Sequence, residues 1–138
     1  MAIYTELPVF KKSYDLLLLL VDLAANLPKS YKYTFGERLQ LEATEMIINI
    51  YKANTAIDKQ DHIFKSREHL ETIRLLVRVL YDTKQINLRR MVFLNGLIEE
   101  ISKQLTGWQK HFTTRDKSPH QSVGGSHGTR SGTWSLTK

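Results

Sequence analysis

At 138 residues, 41% of them apolar, and with a formal charge of +6, the chain has the length for one core-bearing domain. It contains no cysteine, which excludes disulfides, thiolate zinc sites and cysteine nucleophiles and fits a cytoplasmic protein. Its opening residues lack a signal-peptide pattern, and its longest apolar run, Leu16 to Val21, is far short of the roughly 20 residues of a membrane span, so a soluble protein is expected.

The charge is unevenly spread. Up to Phe112 there are 16 Lys and Arg against 13 Asp and Glu, and the remainder holds 4 against 1, so body and tail carry +3 each. Any polyanion binding by so mildly basic a body must rest on where the charges lie.

A first helix is expected from about Pro8 to Leu27. Proline suits a first turn, Pro28 forbids continuation, and Thr5 is placed to cap the start. Phe10, Tyr14, Leu17, Val21 and Ala24 read as its main stripe. Leu16, Leu18, Leu19 and Leu20 then carry leucine almost around the circumference, leaving Lys11, Asp15, Asp22 and Asn26 as a narrow polar strip. A helix so apolar needs more than one neighbour, and the surplus reads as a subunit interface.

Pro28 to Tyr33 interleaves lysine with tyrosine. Such a loop can hold a nucleic-acid strand by charge and stacking. The plainer reading, which weighs more, is a helix link whose tyrosines cover the bundle end. Thr34 and Glu37 have the spacing of a capping box for a second helix. Leu39, Ala43, Met46, Ile47, Ile50, Ala53, Asn54 and Ile57 form its expected core stripe, with Arg38, Glu42, Glu45, Asn49 and Lys52 broadly opposite. Leu41 and Ile48 sit off the stripe and point to a second contact.

The third helix, capped by Asp58 or Asp61, carries two stripes. Ile63, Leu70, Ile73, Val77, Leu80 and Tyr81 recur at helical spacing and face the core. Arg67, Arg74 and Arg78 form the second, since seven residues turn a helix to within about 20° of two full turns. Glu71 is within reach of Arg67 and Arg74, and Asp82 of Arg78. The stripe is therefore either a solvated face laced with ion pairs or a seat for an anion.

Asn87 is placed to cap a fourth helix running to about Phe112, with Met91, Leu94, Ile98, Ile101, Leu105, Trp108 and Phe112 on its inner stripe. Arg89 and Arg90 stand in the first turn, where the helix dipole disfavours cations, which suggests a phosphate seat. Gly107 permits close approach of the backbone, with Trp108 as an anchor. Residues 113–138 are polar, basic and rich in Ser, Thr and Gly, and are expected to form a flexible tail after a bundle spanning 1–112.

No catalytic pattern emerges. Glu99 and Glu100 are adjacent and do not face one another, and His62, Glu68 and His69 reproduce no metal motif. Neither a phosphate-cradling glycine loop nor a nucleophile elbow is present. The expectation is a non-enzymatic protein without cofactor or metal: an all-α, up-down-up-down four-helix bundle.

Several short segments then come together in order: Leu7-Pro8-Val9-Phe10-Lys11-Lys12-Ser13-Tyr14-Asp15, Tyr33-Thr34-Phe35-Gly36-Glu37, Tyr51-Lys52-Ala53-Asn54, Arg74 with Leu75-Leu76-Val77-Arg78, and Leu105-Thr106-Gly107-Trp108. Over about residues 7–112 the chain resembles the Avd-like four-helix-bundle proteins, the accessory variability determinants of diversity-generating retroelements. The resemblance implies a homopentamer that associates with the element's reverse transcriptase. It also implies a basic surface that binds nucleic acid, RNA or DNA, during mutagenic copying of a template-repeat RNA. Arg74 and Arg78 are carried over to that surface; Arg67 of the same stripe ranks below them because Glu71 is near, and Lys11, Lys12, Arg38, Arg89 and Arg90 are added from charge placement. The competing readings are a bundle of the family encoded in ribosomal-RNA intervening sequences, and a protein–protein scaffold that binds no nucleic acid.

Overall fold

Leucine nearly all round the first helix leaves the choice of its buried face to its neighbours. In the computed structural model, which describes residues 7–116 and the side chains as far as Phe112, that helix, α1 (Pro8–Ala25), buries Val9, Ser13, Leu16, Leu20, Leu23 and Ala24. The expected stripe is thus displaced around the helix. Tyr14 and Val21 are exposed, while Phe10 and Leu17 only flank the core. Pro8 takes the first turn as anticipated, after Leu7 at the N-cap, and Thr5 lies outside the described residues.

The link that follows is helical almost throughout. Lys29–Tyr31 is a single α turn, Lys32–Gly36 a π-helical turn, and α2 (Glu37–Thr55) continues from it. The Thr34–Glu37 capping box therefore does not form. Helical hydrogen bonding has begun several residues earlier, with the Pro28 carbonyl accepting from the Tyr31 and Lys32 N–H groups at 2.9 and 2.8 Å. The Thr34 hydroxyl instead donates to the Ser30 carbonyl at 2.8 Å.

Gly36 holds the π turn against α1. A Cβ built on it would stand 3.1 Å from the Ala24 Cβ, which can retreat only if α1 moves. Gly36→Leu should therefore wedge the helices apart and cost about 1–3 kcal/mol, the usual penalty of overpacking. Urea denaturation checks this, and an unchanged midpoint would refute it.

α3 (Gln60–Asp82) and α4 (Leu88–Asp116) complete the all-α bundle. α1 packs on α2 and α4, and α3 packs on the same two. Cross-helix pairs show the alternating direction: Lys12 with Glu100 and Asp22 with Arg90 between α1 and α4, Glu42 with His69 between α2 and α3. The core consists of the expected inner residues of α2, α3 and α4, among them Leu39, Met46, Ile50, Leu70, Ile73, Leu80, Leu94, Ile98 and Leu105. Two residues depart from the expected stripe of α2: Ile47 is only half-buried and outside the core, and Ile57 is fully exposed beyond the helix end.

The helix ends are tied by side chains. The Asn87 side-chain oxygen accepts from the Arg90 N–H at 2.8 Å, as anticipated. Lys59, and not Asp58 or Asp61, is the N-cap of α3; the Asp58 carboxylate accepts from the Gln60 N–H at 3.2 Å from one residue before it. Lys59 donates to the carbonyls of Ala53, Asn54 and Ala56 at 2.9, 3.1 and 2.9 Å. Its ammonium also lies 5.5 Å from the centre of the Phe112 ring. That lysine closes the C-terminal end of α2, where unpaired carbonyls favour a cation. α4 runs to Asp116, beyond the expected end near Phe112; the tail expected from there on, past Asp116, lies outside the described residues.

Candidate nucleic-acid interface

Arginine and lysine can meet an external polyanion only with donors that the fold has not already engaged. On α3, Arg74 is the most constrained: its guanidinium bonds Glu71 at 3.1 Å and also Glu99 of α4. Burial alone would lower its pKa, but hydrogen bonds and charge from Glu71 and Glu99 outweigh that and raise it. Arg67 reaches the Gln109 side-chain oxygen across the same seam, leaving Glu71 to Arg74. Arg78 meets Asp82 through its Nε at 3.0 and 3.1 Å. It is exposed, and its contacts to Asp82 run through Nε alone.

The other candidates divide in the same way. Lys12 pairs with Glu100 at 3.4 Å, Arg90 with Asp22 at 3.5 Å, and Arg38 with Glu42 at 2.7 Å. Lys11 and Arg89 are exposed and join no ion pair among the described residues. The eight residues thus do not form one patch. Arg67 and Arg74 bridge α3 to α4, Lys12 and Arg90 bridge α1 to α4, and Arg38 faces the α2–α3 seam.

That last seam holds a polar cluster which sequence reasoning placed on the outer face. Glu42 is 6% exposed and Asn49 is also buried. One Glu42 oxygen accepts from Arg38 and the other from His69 Nδ1 at 2.7 Å, so that nitrogen carries a proton. Asn49 Oδ1 lies 3.4 Å from His62 Nδ1, while its amide nitrogen donates to the Glu45 carbonyl at 2.9 Å. Between these pairs the Ser66 hydroxyl donates to the Met46 carbonyl at 3.2 Å. Burial would raise the Glu42 pKa, but the bonds and charges of His69 and Arg38 prevail and hold it below the ordinary glutamate value. The available signal was the matched spacing of seven, Glu42 to Asn49 on one helix and His62 to His69 on the next. It becomes meaningful only once the two helices are known to be antiparallel neighbours.

The tyrosines of the first link separate. Tyr31 stacks on Phe35 with ring centres 5.9 Å apart and covers the core, as the plainer reading had it. Tyr33 is 58% exposed. Trp108 is an internal anchor, packed on the core beside Phe112, whereas Gly107 faces open space.

Apolar surface remains on α1 and α4. Leu18, Leu19, Val92, Phe93, Gly96 and Leu97 line an open groove of about 740 Å³ between them, with Lys12, Asp15 and Glu100 at its edges. Leu18 is 51% and Phe93 58% exposed. Among the described residues no group of three or more His, Cys, Asp or Glu is placed to hold a metal. No helix there is long and apolar enough to cross a membrane.

These features define a four-helix-bundle protein whose outward assets are surface charge and an apolar groove. Over residues 8–112 the chain matches the family described as bAvd-like, and it belongs to that family. Among solved structures its fold is similar to that of a protein of unknown function from the S23 ribosomal protein family of Bacteroides thetaiotaomicron VPI-5482. The TM-score is 0.69 at 20% identity, covering 74% of this chain and 95% of that one. No curated protein matches the chain.

Proposed function

We propose that this chain is a non-catalytic, cytoplasmic accessory protein of a diversity-generating retroelement. It acts as an oligomeric scaffold that binds the reverse transcriptase and nucleic acid, template RNA or its cDNA, during mutagenic retrohoming. The observation that carries this reading is membership of the bAvd-like family across the whole bundle. The uncovered groove between α1 and α4 supports assembly, here read as a homopentamer, because exposed apolar surface of this kind marks interaction sites. In a ring, the modest charge of each subunit repeats, so weak phosphate contacts act together.

Binding should be steeply salt-dependent. Each phosphate neutralised by a cation releases counterions and adds nearly one unit to the slope of log affinity against log salt, about 0.7 for single strands. Fluorescence anisotropy with labelled template-repeat RNA measures that slope. Finding a reverse-transcriptase gene beside this one, and co-purification with its product, tests the partner.

One observation favours a second reading, a protein–protein scaffold without nucleic-acid binding. Arg74 and Arg67 are already engaged by groups of the bundle itself. A flat salt dependence, or no RNA binding at low salt, would decide for that scaffold.

A further inference from the structure

Antiparallel packing brings two connections to the same end of the bundle. The Asp22–Arg90 pair sets the last turns of α1 beside the first turn of α4. The Glu42–His69 and Asn49–His62 pairs run α2 and α3 in opposite directions, which leaves the start of α2 toward the end of α3. The link from α1 to α2 and the link from α3 to α4 therefore share one pole.

Cations at that pole are under-compensated. Lys29, Lys32, Lys84 and Arg89 join no ion pair among the described residues, whereas the nearby acids Asp22, Glu42 and Asp82 are taken by Arg90, Arg38 and Arg78. Glu37 is the one carboxylate there without an ion pair among the described residues. Two of the four cations stand where local stability favours other residues. Lys84 has φ 65°, the left-handed conformation best suited to glycine. Arg89 occupies the positive end of the α4 dipole.

On the same link as Lys29 and Lys32 stands Tyr33, more than half exposed while Tyr31 two residues earlier is tucked against Phe35. Tyr33 sits in the π turn, which is pinned by Gly36 against Ala24 and by the Thr34 hydroxyl on the Ser30 carbonyl. The ring is thus presented from a braced segment.

We infer that this pole, through Lys29, Lys32, Lys84, Arg89 and the Tyr33 ring, grips a single-stranded segment of nucleic acid. The cations follow the phosphate chain and the phenol ring stacks on an unpaired base. Stacking of that kind is open to any base but requires it to be free of a duplex, which selects single strands. The inference rests on the proposed nucleic-acid-binding function and locates it away from the α3 stripe, whose Arg67 and Arg74 are committed to α4.

The test uses the full chain and anisotropy with labelled oligouridylate, its DNA counterpart and a duplex of equal length. Lys29→Glu with Lys32→Glu should weaken single-strand binding about tenfold or more and flatten the salt slope, as loss of phosphate contacts requires. Tyr33→Ala should weaken it about fivefold or more while sparing the duplex, and Tyr33→Phe should restore it. RNA and DNA strands tested in competition identify which is held. Circular dichroism confirms that each variant is folded. Wild-type binding that survives these changes, but falls with Arg74→Gln and Arg78→Gln, overturns the inference and leaves the function standing. Loss in Lys29→Glu, Lys32→Glu with no effect of Tyr33→Ala overturns the single-strand assignment. Failure of the wild type to bind any of the three at low salt overturns the function itself.

Discussion

Glu42→Gln should destabilise the bundle by roughly 1–3 kcal/mol near neutral pH, the range for an impaired buried, charge-assisted bond. The carboxylate is almost wholly enclosed and serves Arg38 and His69 at once. Glutamine keeps the shape but offers one acceptor oxygen and an N–H pair, so one of the two donors faces another donor. The effect carries a pH signature with a definite sign. Because the folded-state pKa of Glu42 lies below its unfolded value, its contribution is fully present above the unfolded pKa. It is lost as pH falls through the folded one. Urea midpoints of wild type and variant should therefore differ near neutrality and converge as pH falls through the depressed folded-state pKa of Glu42. Equal midpoints at neutral pH would show that the cluster contributes nothing to stability.

Leu18→Glu combined with Phe93→Glu should convert the proposed oligomer to monomers. Both side chains are more than half exposed in one chain and line the α1–α4 groove. A carboxylate at each would leave a lone protomer intact but would have to be stripped of water at an interface. An unpaired charge there costs several kcal/mol, and each ~1.4 kcal/mol weakens association tenfold. Light scattering should give the wild type a mass several times the 16.0 kDa of one chain and the variant that single mass. Gly96 supplies an independent check. A Cβ there meets nothing within 4 Å in the protomer, so Gly96→Ala should stabilise an isolated chain by up to ~1 kcal/mol. It should nonetheless weaken association if a neighbouring helix seats against that glycine. A monomeric wild type at working concentrations would sink the assembly reading.

How far the bundle was legible depended on contrast along each helix. On α3 the apolar and charged residues are cleanly separated, so Ile63, Leu70, Ile73, Val77 and Leu80 were read correctly as core. On α1 the contrast is missing: leucines occupy both faces, and periodicity chose Tyr14 and Val21 where the fold buries Leu16 and Leu20. Local capping chemistry was readable where one residue decides it, as at Asn87, and misread where an alternative backbone competed. At Thr34 a π turn won, because helical bonding beginning at Pro28 gave the hydroxyl a carbonyl to serve instead of an open helix end. For the candidate site, sequence supplied the cations but not their partners, since Glu99 is distant in the chain from Arg74, as Gln109 is from Arg67.

Sequence by itself determined that this protein is an all-helical bundle with short links and a basic balance, because periodicity, proline placement and charge are local properties of the chain. Membership of the bAvd-like family is likewise a match over residues 8–112 of the sequence. Only the tertiary structure decided which face of α1 is left open, that Glu42 and Asn49 are buried with His69 and His62, and which cations remain free. Those outcomes depend on what each helix meets across a seam. A hydrogen bond or ion pair between residues far apart in the chain exists only once antiparallel packing has set their register.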